Sequence, residues 1–147
     1  MDNEKFSQGP CPVGRALTRV GDAWSMMILR DAGLSITRFD QFRASLGIAP
    51  NILTRRLAAM VEHGLLEKRR YCEQPPRDEY VLTAKGRDFL PILLAIGAWG
   101  RKHCEAPATS SMIDTDTQKP VEPLVIDRLS GRPLAEMSLK LVPPPAE

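Results

Sequence analysis

The chain has 147 residues, 43% hydrophobic and 26% charged, with a formal net charge of +2. That is enough apolar material for one cored domain plus an appendage, and it excludes wholesale disorder. No apolar run approaches the ~18 residues that span a bilayer, and the opening MDNEKFSQGP has no basic-then-apolar pattern, so a cytoplasmic protein without membrane contact is expected.

The charge is unevenly placed. Residues 1–105 carry 16 basic and 12 acidic side chains, whereas residues 106–147 carry 4 and 6. Five Lys/Arg against two Glu fall within residues 50–72, a local basic patch of the kind nucleic acid attracts, although charged residues commonly do no more than solvate a helix face.

Residues 12–20 and 24–34 have helical apolar spacing (Val13, Leu17 and Val20; Met27 and Ile28), with Gly21-Asp22 between them. Thr37 is placed to cap a third helix bearing Phe39, Phe42 and Leu46, and Gly47 to end it. A fourth helix begins at Pro50, a residue suited to a first turn. Its apolar stripe is Leu53, Leu57, Met60 and Val61, which turns Asn51, Thr54, Arg55, Ala58 and Glu62 outward.

Gly64 stops that helix. Leu65-Leu66 start a basic strand, Pro75-Pro76 mark a tip where a ladder cannot continue, and residues 79–82 alternate as a second strand. A helix followed by a basic hairpin is how a winged helix-turn-helix meets DNA, with the helix in the major groove and the hairpin on the adjacent backbone. Thr83 is placed to cap a long final helix reaching about Glu105, which Pro91 should kink or split. Phe89, Leu90, Leu93, Leu94, Ile96 and Trp99 give it more apolar surface than one small domain covers, so it is either a dimer interface or a buried core helix. Beyond a Ser/Thr/Asp/Pro-rich linker, residues 123–129 and 134–142 flank Ser130-Gly131-Arg132-Pro133, which suggests a β-hairpin.

Three widely spaced cysteines, Cys11, Cys72 and Cys104, with no CxxC, fit neither a disulfide framework nor a zinc site. His63 and His103 fall at helix ends, and no phosphate loop, GxSxG or metal-spaced cluster occurs, so neither an enzyme nor a cofactor is expected.

In order along the chain stand CPVGRAL (residues 11–17), GDAWSMMILRD (21–31), RFDQF (38–42), LTRRLAAMVEHGLL (53–66) and PPRDEYVLTAKG (75–86). Together these resemble the HxlR-type transcription regulators, a branch of the MarR-like winged-helix proteins, over residues 11 to about 99. The fold expected is α+β, mainly α: a winged helix-turn-helix domain over residues 1–105 with a long C-terminal dimerisation helix, then a linker and small β-hairpin over 106–147. The resemblance implies a homodimer on an inverted-repeat operator in double-stranded DNA. Dimer contacts would come from residues 12–20 and 83–105, with Val13, Leu17, Leu93, Ile96 and Trp99 as candidates.

The candidate base readers are Asn51, Thr54 and Arg55, because Asn pairs with adenine, Arg with guanine, and a Thr methyl packs on thymine. Arg56 lies ~100° further round and suits a phosphate or an acidic neighbour. On the hairpin, Arg77 is the leading phosphate candidate, while Arg69 and Arg70 either join it or pair with Glu73 or Glu79. Arg38 and Gln41 could add phosphate contacts. Cys11 matches a cysteine with which some relatives sense oxidants or electrophiles; here it is a candidate sensor, or a small residue packed near the dimer interface. A second route to switching is a small-molecule pocket lined by Trp24, Phe39, Phe42, Phe89 and Trp99, aromatics that at helical spacing are more often core. The competing class of function is a winged helix used only to bind proteins.

Overall fold

The computed structural model describes residues 3–105 and 107–146. Ala106, where the linker is expected to begin, lies outside the described residues. Two compact units are distinguished, Met1–Leu90 and Pro91–Glu147.

In the first unit, α1 (Asn3–Gln8) precedes α2 (Pro12–Val20), α3 (Ala23–Gly33), α4 (Phe39–Leu46) and α5 (Pro50–Glu62). The hairpin β1 (Leu66–Glu73) and β2 (Pro76–Leu82) follows, then the single turn α6 (Ala84–Arg87). Helix α1 had no counterpart in the sequence pattern. It is too short to be stable alone, and Phe6 packs against buried Gly14 of α2, where a Cβ would come within 3.1 Å of the ring.

The core is Val20, Ile28, Leu29, Phe42, Ile48, Leu53, Leu57, Met60, Leu65 and Leu66. Helix α5 supplies the expected stripe, although Val61 is only half-buried. Burying each such side chain stabilises the fold by roughly 1.5–3 kcal/mol, so the stripe fixes which side of α5 faces solvent. Helix α3 starts on Asp22, whose carboxylate accepts the Ser25 amide at 2.9 Å and the Ser25 hydroxyl at 2.6 Å. The start of α4 differs from expectation. Its cap position is Arg38 rather than Thr37, and Gln41 Oε1 accepts the Thr37 and Arg38 amides at 3.2 and 3.1 Å.

At the other end of α5, Gly64 takes φ +73°, a left-handed conformation a side chain would strain. The chain then enters an antiparallel ladder running from Leu66↔Leu82 to Glu73↔Pro76, with a bulge between Arg70 and Cys72. The hairpin base is held tightly. Thr83 Oγ1 donates to the Gly64 carbonyl at 2.6 Å and accepts the Gly86 amide at 3.1 Å. Lys85 Nζ donates to the His63 carbonyl at 2.7 Å, satisfying the last turn of α5. Gly86 lies so close to the Leu65 carbonyl that no Cβ fits there. On the other flank, the Tyr80 amide donates to the Thr37 carbonyl at 2.7 Å.

Residues 84–103 do not form one helix. Thr83 caps α6, which ends at Arg87, and α7 (Leu90–His103) begins just before Pro91. This is the split a proline demands: it has no N–H to donate and is tolerated in a first turn.

In the second unit, no residue of α7 is buried, and Ile92, Ile96 and Trp99 are exposed. The expected tail β-hairpin is not formed. Isolated antiparallel bridges, Ile113↔Pro120 and Ile126↔Pro133, close two turns, and a single 3-10 turn spans Leu134–Glu136. The chain does reverse at Ser130-Gly131. However, Pro133 has no N–H for a ladder, and Leu124, Val125, Leu129, Leu139 and Leu141 stay exposed with nothing to cover them. No helix among the described residues is long and apolar enough to cross a membrane.

Candidate nucleic-acid interface

Helices α4 and α5 form the helix-turn-helix, and β1–β2 form the wing. With 100° between successive helical residues, Leu53, Leu57 and Met60 define the inward side of α5, and Arg55 falls near the middle of the opposite side. Asn51, Thr54, Arg55, Ala58 and Glu62 are all exposed, as the sequence pattern requires. Thr54 Oγ1 donates to the Pro50 carbonyl at 2.9 Å, which leaves its methyl and its oxygen lone pairs for a base.

The arginines of this surface divide into two groups. Arg56 Nε lies 3.4 Å from Asp22 Oδ1, an acidic neighbour of the kind expected for it. Burial would raise the Asp22 carboxyl, but the Ser25 hydroxyl and amide and the Arg56 charge together hold it below the ordinary value. On the wing, Arg70 Nε donates to Asp78 Oδ1 at 2.9 Å and its other nitrogen lies 3.5 Å from Glu73. Lys68 reaches the same Asp78 at 3.6 Å, and Arg69 lies 3.6 Å from Glu67 rather than pairing across to Glu79. The Asp78 carboxyl is lowered, first by its hydrogen bond from Arg70.

Among the described residues, Arg38, Arg55 and Arg77 make no ion pair. Arg38 lies over the ring of Tyr71, 4.3 Å from its centroid, which ties the start of α4 to the bulged position of β1. Arg77 is exposed beside the tip, opposite Cys72. Gln41 has its Oε1 committed to capping, so its amide nitrogen is what remains to offer a phosphate. Sequence reasoning missed Asp78 as the wing's main counter-charge. Its signal was the spacing that places Asp78 opposite Arg70 once the tip is fixed at Pro75.

The profile of the HxlR-like helix-turn-helix family matches residues 19–108. The chain belongs to that family. It is a family of MarR-like, DNA-binding helix-turn-helix transcription regulators, not of enzymes. A relative in Mycobacterium tuberculosis, an uncharacterized HTH-type transcriptional regulator, is 40% identical over 95 residues, which are 65% of this chain and 60% of that protein. The chain thus spans about three fifths of that relative's length. The crystal structure of PA1607, classed as a candidate transcription factor, superposes with a TM-score of 0.85 at 40% identity, over 94% of this chain and 98% of that one. The redox regulator HypR in its reduced form gives a TM-score of 0.58 at 30% identity, over 63% of this chain and 92% of HypR.

The three cysteines of this HxlR-like chain are free thiols. Cys11 is exposed at the N-cap position of α2 and makes no side-chain cap bond. Arg15, one turn on, is drawn to the Gly9 carbonyl at 2.7 Å. Cys72 is half-buried with its thiol 3.6 Å from the Gln74 carbonyl, and Cys104 is exposed. Of the candidate dimer residues, Val13, Leu17, Ile96 and Trp99 are exposed and Leu93 is half-buried.

Of the five aromatics considered as a possible pocket lining, Phe42 is wholly buried in the core, the more common fate of aromatics at helical spacing. Only Trp24 of the five lines the described cleft, together with Ile52, Arg55 and Arg56.

Proposed function

We propose that this chain is a homodimeric DNA-binding regulator in which residues 1–105 both read DNA and pair with a second copy. Helix α5 enters the major groove of an inverted-repeat operator, and the wing follows the flanking backbone or minor groove. One observation carries this reading. On a surface where Arg56, Lys68, Arg69 and Arg70 each lie beside a carboxylate, Arg55 and Arg77 are exposed without an ion pair among the described residues. An exposed guanidinium without a counter-charge suits guanine O6/N7 or a phosphate. Asn51 and Thr54 complete the base-reading side. Arg38 and Gln41 contribute phosphate contacts at the start of α4, and Arg56, Arg69 and Arg70 add charge behind the contact. The exposed apolar residues Val13 and Leu17 of the first unit, and Ile96 and Trp99 with half-buried Leu93 of the second, each supply dimer contacts in this reading.

A mobility shift on duplex from the region upstream of the coding sequence tests this directly. Arg55→Ala should weaken specific binding by ~1–3 kcal/mol and relax one base position, whereas Arg77→Ala should weaken all sequences alike and reduce the salt slope by ~1. Equal losses on specific and random duplex for Arg55→Ala would remove its base-reading role. Uniformly negligible binding would leave a protein-interaction module.

Switching is proposed to pass through Cys11. It is an accessible thiol at a helix start, and the likeness to HypR supports a redox role. Diamide should release DNA from the native chain and leave Cys11→Ser bound. Equal release from both would exclude this thiol.

A further inference from the structure

Three cations on β1 lie beside carboxylates: Lys68 is 3.6 Å and Arg70 2.9 Å from Asp78, and Arg69 is 3.6 Å from Glu67. Arg38, at the start of α4, is held in another way. Its guanidinium lies over the ring of Tyr71, 4.3 Å from the centroid, and its side chain donates no hydrogen bond among the described residues. We propose that Tyr71 is a positioning residue for DNA binding, whose ring holds the Arg38 guanidinium against the wing with donors free for a phosphate of the duplex.

The chemistry of the contact suits this role. A carboxylate orients an arginine by neutralising it and occupying its N–H groups. An aromatic ring attracts the cation through its quadrupole and carries no net charge. One ring can engage one face or edge of a guanidinium, so most of the five N–H donors stay open to a further acceptor. On a DNA backbone the acceptor that matches the planar fork is a pair of phosphate oxygens. Tyr71 thus orients a cation without cancelling it, which Asp78 does not do for Arg70.

Both ends of the Arg38 side chain are fixed to the wing. At its base, Gln41 Oε1 accepts the Thr37 and Arg38 amides at 3.2 and 3.1 Å, and the Thr37 carbonyl accepts the Tyr80 amide of β2 at 2.7 Å. At its tip stands Tyr71 of β1, between Arg70, which pairs with Asp78, and Cys72, which pairs with Arg77. Tyr71 is therefore the bulged residue, and a bulge re-aims the side chain it leaves out of the ladder. An arginine ordered beforehand does not have to be ordered by the duplex, and that saving appears as affinity. The role rests on the proposed reading of α4, α5 and the wing as a DNA surface; the contact between Arg38 and Tyr71 does not.

The test uses the full chain and a mixed-sequence duplex, because a phosphate contact is indifferent to sequence. Tyr71→Leu, at an exposed position, should weaken binding about two- to fivefold and lower the salt slope in the direction of Arg38→Ala, whose loss is ~1. Tyr71→Phe keeps the ring and should restore native affinity and slope. With Arg38→Ala already present, Tyr71→Leu should have no further effect. A loss in Tyr71→Phe equal to that in Tyr71→Leu, or an undiminished effect of Tyr71→Leu in the absence of Arg38, would overturn the role by giving it to the tyrosine itself. Free of DNA, the Arg38 Nε–H resonance should be displaced by the ring in the native and Tyr71→Phe chains and return to the ordinary arginine position in Tyr71→Leu. Duplex binding whose affinity and salt slope ignore Tyr71→Leu would overturn the role and leave the proposed function standing. A displaced resonance in a native chain that binds no duplex would overturn the proposed function, and the role with it.

Discussion

The wing at residues 66–82 and the turns at residues 113–133 both reverse the chain beside a proline. The first becomes a ladder from Leu66↔Leu82 to Glu73↔Pro76, bulged between Arg70 and Cys72, while each of the second closes on a single bridge. The difference lies at the base. Leu65 and Leu66 are buried, and Thr83 bonds the returning strand to Gly64 and Leu65. Leu124, Leu129 and Leu141 bury against nothing comparable, and their fractional exposures are 67%, 93% and 89%. Two strands alone are marginal in water, so a hairpin persists where its root is part of a core.

The strongest way to break this contrast is to empty the root. Leu66→Ala should cost ~2–5 kcal/mol in denaturant unfolding, whereas Leu129→Ala should stay within about 0.5 kcal/mol. Similar losses would mean that the tail has a core of its own. A finer cut is Thr83→Ala, which removes both the clamp on Gly64 and the cap of α6. It should cost ~0.5–2 kcal/mol, and Thr83→Ser should recover most of it. Full stability of the alanine variant would show that the root holds by apolar burial alone.

The smallest effect should appear in the tail itself. Asp127 accepts the Ser130 hydroxyl at 2.6 Å and its amide at 3.0 Å, and these bonds hold its carboxyl below the ordinary value of 3.8. A group lowered in the folded state stabilises above its unfolded value and loses that contribution as pH falls through the lowered one. The Ser130 amide resonance should therefore move to a random-coil position on acidification past about pH 3.8, and Asp127→Asn should remove that dependence. An unchanged Ser130 resonance at low pH would assign the turn to its backbone bonds.

The same contrast explains what sequence could convey. Helix α5 was legible because Leu53, Leu57 and Met60 repeat at helical spacing and Pro50 and Gly64 punctuate it. The exposure of Asn51, Thr54 and Arg55 follows from that stripe alone. The wing was legible through its basic run and its proline tip, and the family resemblance was carried by the ordered motifs from Cys11 to Gly86. What was missed depended on contacts between elements. Helix α1 rests on the contact of Phe6 with Gly14, and Arg70 is held by Asp78 across the ladder. The cleft beside Arg55 needs Trp24 to arrive from α3. The tail failed in the opposite sense. A period-two pattern was present, but alternation specifies a strand only where one side has something to cover it.

The Tyr80 amide bonded to Thr37 gives the wing a second root, in the segment that enters α4. Braced there and at the end of α5, the arm is held at a set lateral offset from the helix proposed to read the groove, like a caliper jaw. Its span is then adjustable only at the Gln74-Pro75 end. Each residue pair added there would lengthen the arm by ~3.3 Å without disturbing either root.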